Sequence, residues 1–221
     1  MPVARVRVSA RFLLLLLLVA LYPAQSDSAE PAIVAGLHYA GYSFDPEERY
    51  GKTESVDHNE FGLLVGIQTT RGGASIMIGA EATTSDDSPL SDNRISLILE
   101  GGVALHRFAR LGVRLTSGFW IYDYDDRFRN ESYTYRFVDT GRAAYNTLGL
   151  HAYLVPPLGK ESRAIDLLID LGVQLSLFET RTVRVAGERW QDHSTEVESV
   201  RPMKLTRPTA VISMGLSLAF R

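Results

Sequence analysis

The chain has no cysteine. That absence excludes a disulfide scaffold, a thiolate metal centre, a cysteine nucleophile and a lipid-anchored N-terminal cysteine. Charge of one sign is also scarce: 23 Lys and Arg against 26 Asp and Glu leave a formal charge of -3. Without its first 26 residues the chain loses Arg5, Arg7 and Arg11 and no acid, so the charge becomes -6. A mildly acidic chain argues against a nucleic-acid partner. Beyond the N-terminus no apolar run reaches the roughly 20 residues that a spanning helix needs. A chain of this kind crosses a membrane only as a closed barrel, the other architecture that satisfies every backbone hydrogen bond in lipid. No heptad or sustained helical period is present.

The N-terminus reads as a targeting segment. Arg5, Arg7 and Arg11 precede an apolar run from Phe12 to Leu21, and Tyr22-Pro23 leads into the small-residue stretch Ala24-Gln25-Ser26. This is the pattern of a secretory signal peptide over residues 1–26, with cleavage as late as residue 29. It leaves 27–221 as a single domain.

From Ile165 the chain alternates cleanly. Ile165, Leu167, Ile169, Leu171, Val173, Leu175 and Leu177 share one face; Asp166, Leu168, Asp170, Gly172, Gln174, Ser176 and Phe178 share the other. Successive strand side chains point to opposite faces, so this is a strand with one aliphatic and one mostly small or polar face. Comparable alternation covers residues 32–44, 56–70, 73–84, 93–106, 110–123, 141–155 and 206–220, which makes eight segments with 165–180. Short links (Arg71-Gly72, His106 to Arg110, Pro156 to Ser162) alternate with links that are mostly longer and polar: Asp45 to Ser55, Ser85 to Asp92, Tyr124 to Thr140 and Arg181 to Leu205. Short periplasmic turns opposite longer outer loops are a signature of membrane barrels.

The face opposite the aliphatic one is rich in Gly, Ser and Ala, with sparse charges at Glu81, Glu100, Arg114, Asp166 and Asp170. Such a face suits the interior of a narrow barrel, where charges pair across the lumen as a structural network. The expected fold is all-β: an antiparallel up-and-down transmembrane β-barrel of eight strands, or ten if the last link pairs as a further hairpin. An interior just wide enough for side chains argues against a diffusion pore.

The C-terminal strand from Ile212 to Phe220 places Met214, Leu216, Leu218 and Phe220 on one face and ends on an aromatic, followed by Arg221. It resembles the terminal assembly signal of Gram-negative outer-membrane proteins. The resemblance implies recognition by the barrel-assembly machinery and residence among outer-membrane lipid and lipopolysaccharide. From about Ala32 to Phe220 the chain looks like the small eight-stranded barrels typified by the transmembrane domain of outer-membrane protein A and by OmpX. This is a likeness of architecture, and it implies no functional residues.

Chemistry-bearing residues outside the strand pattern are few. His193-Ser194 with Glu196 contains residue types of a serine hydrolase, as in outer-membrane lipid A deacylases and phospholipases. Adjacency in sequence does not give the geometry a nucleophile and base need. His151, His38 and His106 read as lumen or rim residues. Asp123, Asp125 and Asp126, with Asp86 and Asp87, invite calcium but follow no established loop pattern. Aromatics at Tyr42, Phe44, Phe119, Trp120, Tyr122, Tyr124 and Tyr145 are expected to form an outer interfacial girdle. The segment Arg181 to Leu205 partly alternates, which predicts that the last two strands continue outward as a protruding hairpin.

The expected function is non-enzymatic: four displayed outer loops serving surface interaction, adhesion or envelope integrity, with an extracellular ligand or protein as partner and no cofactor. A lipid-modifying enzyme and a small gated channel are the alternatives.

Overall fold

A computed structural model describes residues 30–47, 55–156, 165–177, 182–191 and 196–221. The N-terminal segment read as a signal lies outside the described residues. Ten antiparallel strands follow one another: β1 (Glu30–Pro46), β2 (Val56–Arg71), β3 (Ala74–Asp87), β4 (Leu90–His106), β5 (Ala109–Arg129), β6 (Tyr133–Leu154), β7 (Ile165–Ser176), β8 (Thr182–Gln191), β9 (Val197–Thr206) and β10 (Ala210–Phe220).

Two closed circuits share one wall. In the lower one β1 to β7 pair in sequence, β7 pairs with β10, and β10 returns to β1 from Ile33↔Phe220 to Ala40↔Ser213. In the upper one the β8–β9 hairpin stands above β7 and β10. Its β8 strand pairs with β6 from Tyr133↔Gln191 to Val138↔Ala186, and its β9 strand meets β1 at Asp45↔Thr206 and Pro46↔Leu205. Eight strands therefore enclose each level. The strand total is ten, as the alternative count anticipates, because the last two walls each break at a joint into a lower and an upper piece.

The lower level is apolar outside. On β7, Ile169, Leu171, Val173 and Leu175 are exposed, while Leu168, Asp170 and Gln174 are buried. Leu63, Ile78, Leu97, Leu150 and Ile212 continue this outer belt around the ring, and Leu97 is 70% exposed. Water would penalise such a surface by about 25 cal/mol per Å² of apolar area, whereas hydrocarbon does not. A closed antiparallel ring with an apolar outer belt and a polar interior is a transmembrane β-barrel.

The upper level has the opposite polarity. Val183, Val185, Met203 and Leu205 of the hairpin point inward and are buried against Phe44, Leu90, Trp120, Tyr124, Tyr135 and Phe137. Arg184, Ala186 and Glu188 occupy the outer face. The upper level is thus a soluble-type barrel core seated on a membrane barrel.

Two expectations require correction. The links Ser85 to Asp92 and Tyr124 to Thr140 are strand for most of their length, with only Ser88-Pro89 and residues 130–132 between strands. Their polar residues alternate with inward apolar ones such as Leu90 and Tyr135, which extends the sheet beyond the lipid. The aromatic girdle is also largely misplaced. Phe119 faces outward at 58% exposure, but Phe44, Trp120, Tyr122 and Tyr124 are buried inside, with Tyr42 and Tyr145 packed against them. These residues share the parity of the lumen face, so they plug the barrel instead of belting it.

At the opposite end β2 and β3 are joined through Gly72 and Gly73 at φ 57° and 81°. Both angles fall in the left-handed region that glycine enters without a Cβ penalty, as a two-residue hairpin requires.

Candidate functional site

The polar side chains of the lumen form two layers. The inner layer lies on β3 to β7, with His38 of β1 and Ser213 of β10. Arg114 on β5 donates from Nε to Glu100 Oε2 at 2.8 Å and from Nη2 to the Tyr153 hydroxyl at 2.8 Å. Tyr153 in turn donates to Glu100 at 2.6 Å. Asp170 lies 3.7 Å from Arg114 and 2.9 Å from His151 Nδ1. Glu81 faces His38 at 3.0 Å, and Gln174 reaches both His38 and Ser213 at 3.4 Å. The strand register explains the grouping, because Glu100↔Arg114 and Tyr153↔Asp170 are directly opposed.

The sequence-predicted charges separate at this point. Glu81, Glu100, Arg114 and Asp170 are buried in the network. Asp166 sits at the rim, partly exposed, where it meets Arg221 at 2.5 Å and Arg110 at 3.9 Å. It lies nearest the end of β7, four residues below Asp170, and solvent reaches it. Met214, Leu216, Leu218 and Phe220 all face outward on β10, the strand that closes the lower ring.

The outer layer lies under the aromatic plug and includes residues the sequence pattern did not single out: His58, Glu60, Asp92, Arg94 and Arg207, all buried. Glu60 contacts Arg94 and the Tyr42 hydroxyl, with Arg207 at 3.6 Å. Asp92 accepts from Trp120 Nε1 and lies 3.2 Å from His58 Nε2, while Ser85 Oγ stands 3.3 Å from His58 Nδ1. The Arg207 guanidinium lies over Tyr42 at 4.4 Å, and that of Arg94 over Tyr145 at 4.6 Å. The signal for four of these was present. His58 and Glu60 are in phase with Gly62 and Gly66, and Asp92 and Arg94 are in phase with Ser96 and Glu100.

Among the described residues, the group close enough to share a metal ion is His58, Glu60 and Asp92. Two neighbouring guanidinium groups already balance its two carboxylates, so a divalent cation would leave a large buried excess of positive charge. The donor set does not suit a metal. Nor do the acidic residues on β3 and β5 form a calcium cage. Asp123 and Asp125 point outward while Asp126 lies on the opposite face, and Asp125 is engaged by Arg136 at 2.7 and 3.0 Å.

His193 and Ser194 lie outside the described residues. Glu196 is exposed just before β9. His38 and His151 are lumen residues, whereas His106 is exposed at the β4–β5 turn.

No family model matches the chain, and no curated protein matches it. Solved structures of similar shape include the outer-membrane protein OprG from Pseudomonas aeruginosa, at 8% identity and TM-score 0.43, covering 90% of this chain and 100% of that one. A major outer-membrane protein from Thermus thermophilus is 14% identical with TM-score 0.43, covering 88% and 99%. Neisserial surface protein A is 9% identical with TM-score 0.40, covering 86% and 98%. At such identities and scores the likeness assigns no residue and no activity to this chain.

Proposed function

We propose that this chain is a non-enzymatic outer-membrane barrel that holds a rigid β-platform above the membrane, for surface interaction, adhesion or envelope integrity. The filled lumen is the observation that carries this reading. Two ion-pair layers and an aromatic plug of buried side chains occupy the interior where a pore would run. The chemistry available to partners is then the outer platform built from β5, β6, β8 and β9, where Arg136 and Asp125 pair on the surface. A cleaved signal over residues 1–26 and assembly through the C-terminal strand belong to the same reading, as does a lipid and lipopolysaccharide environment.

Planar-bilayer recording of the purified barrel tests it. No unitary conductance is expected, and stable channels would overturn the closed-lumen reading. The enzyme alternative rests on His193 and Ser194. Lipid A mass spectrometry of cells expressing the wild-type chain or Ser194→Ala is expected to give identical profiles; a lipid species lost only in the variant would establish the alternative.

A further inference from the structure

The outward residues just above the aliphatic belt are sorted by charge around the ring. On β1, β2, β3 and β5 they are acidic: Asp45, Asp57, Asp86 and Asp123 are all exposed on the outer face. On β6, β8 and β9 they are basic: Arg142 and Arg184 are exposed, and Lys204 is partly buried. Among the described residues no carboxylate forms an ion pair with any of the three, whereas Arg136 and Arg189, higher on the same sheet, are taken by Asp125 and Glu198.

Register sets the place of these cations. Arg142 is directly opposite Ile121, the last outward aliphatic residue of β5, and its guanidinium lies over Phe119 at 6.0 Å. Its stem thus covers the upper edge of the belt while the charge stands at the boundary with water. The β6–β8 pairing ends at Val138↔Ala186, which brings Arg184 to the level of Thr140, one outward position above Arg142. Lys204 is directly opposite Arg184, and like charges so placed repel unless an anion lies between them. Glu47 stands beside Lys204, its N–H donating to the Lys204 carbonyl at 2.8 Å, and Asp45 is in register with Thr206, so the basic sector stops at β1.

We propose that this sector docks the phosphate of a lipid head group in the outer leaflet, held by Arg142 and Arg184 with Lys204 at its flank. The inference rests on the outer-membrane reading above and adds which part of the wall meets the head group. Guanidinium groups match phosphate oxygens with paired N–H donors. Cations at a membrane boundary attract anionic lipid within the screening length. The chains of the same lipid then lie on Leu150, Leu171 and Leu175, which are exposed lower on β6 and β7. An acidic protein would use the cations and leave that apolar surface uncovered; a lipid uses both. The acidic sector repels the same head group, so the contact is confined to one side of the barrel.

Native mass spectrometry of the full barrel, released from non-ionic detergent, tests this with dilauroyl phosphatidic acid against dilauroyl phosphatidylcholine. Saturable retention of phosphatidic acid in preference to phosphatidylcholine is expected. Arg184→Gln should weaken it about fivefold, and Arg184→Gln together with Arg142→Gln about 25-fold, at roughly one such factor per cation. Arg184→Lys and, on the acidic sector, Asp57→Asn should leave most of the preference intact. Heat-modifiable migration of each chain is checked before lipid is added; its absence in the wild type would overturn the barrel reading as well as the site. Should the double variant fail to migrate as a barrel, the two single variants carry the comparison. In chains that pass, no preference for phosphatidic acid, or one that the variants leave unchanged, overturns the proposal. Dimers that the variants abolish overturn it too, because they would make the sector a contact for the acidic side of a second copy.

Discussion

The β7–β10 wall and the β8–β9 hairpin occupy the same sector of the barrel, between β6 and β1, with opposite chemistry. In the lower pair Leu171 and Met214 face out while Asp170 and Ser213 face in. In the upper pair Arg184 and Glu188 face out while Val185 and Leu205 face in. The change occurs across a joint of a few residues, and β4 and β5 undergo it without breaking. Ile95 and Ile121 are the last outward aliphatic residues before Asn93 and Asp123 take the outer face. Surroundings, not strand order, decide which face is apolar: hydrocarbon outside permits a polar interior, and water outside demands an apolar one.

Removing the cation at the centre of the lower interior should have the largest effect. Arg114→Met leaves Glu100 and Asp170 buried without their guanidinium, and a loss of about 3–5 kcal/mol is expected. Urea unfolding in phospholipid vesicles measures it; an unchanged midpoint would mean that the network contributes nothing. In the upper core, Leu205→Ala should cost about 2–5 kcal/mol. That loss should be confined to the hairpin, which becomes protease-sensitive on intact cells while the membrane barrel keeps its heat-modifiable migration.

The outer faces can be compared directly. Leu171→Arg, at the level of the lipid, should cost about 2–4 kcal/mol. Ala186→Arg, on the outer face of the hairpin, should stay within about 0.5 kcal/mol. Equal costs would place the hairpin in lipid and remove the contrast.

The smallest effect concerns the exposed Asp125–Arg136 pair. Its hydrogen bonds from Arg136 hold the Asp125 carboxyl below the usual range. Its contribution is therefore present above the unfolded carboxyl's pKa and is lost as pH falls through the lower folded value. Amide exchange at the β5–β6 tip should quicken slightly on acidification in the wild type and not in Asp125→Asn.

The lower barrel was legible because lipid enforces strict alternation. Ile165 to Leu177 declare their faces in sequence, and Glu81, Glu100, Arg114 and Asp170 follow by parity. The upper barrel was harder to read because its polarity inverts while its parity does not. Trp120, Tyr122 and Tyr124 continue the lumen face of Arg114, but aromatics near a membrane boundary also suit a girdle, and only parity separates the two. Arg207 lies in the joint beside Pro208, where strand parity lapses, so no period could assign it to the lumen. Asp166 shares the parity of Asp170, but parity carries no information about depth.

The lower ring is closed by the pairing of β1 with β10, from Ile33↔Phe220 to Ala40↔Ser213. This contact joins the start of the barrel to its end, so it has the greatest sequence separation and loop-closure cost of the pairings in the lower ring, which stays open until the contact is made. Until then β1 and β10 each have an unpaired edge open to addition by another chain. Assembly is therefore a race between closure and aggregation, and the outward residues Leu216, Leu218 and Phe220 are on one of the two edges that must stay protected until closure.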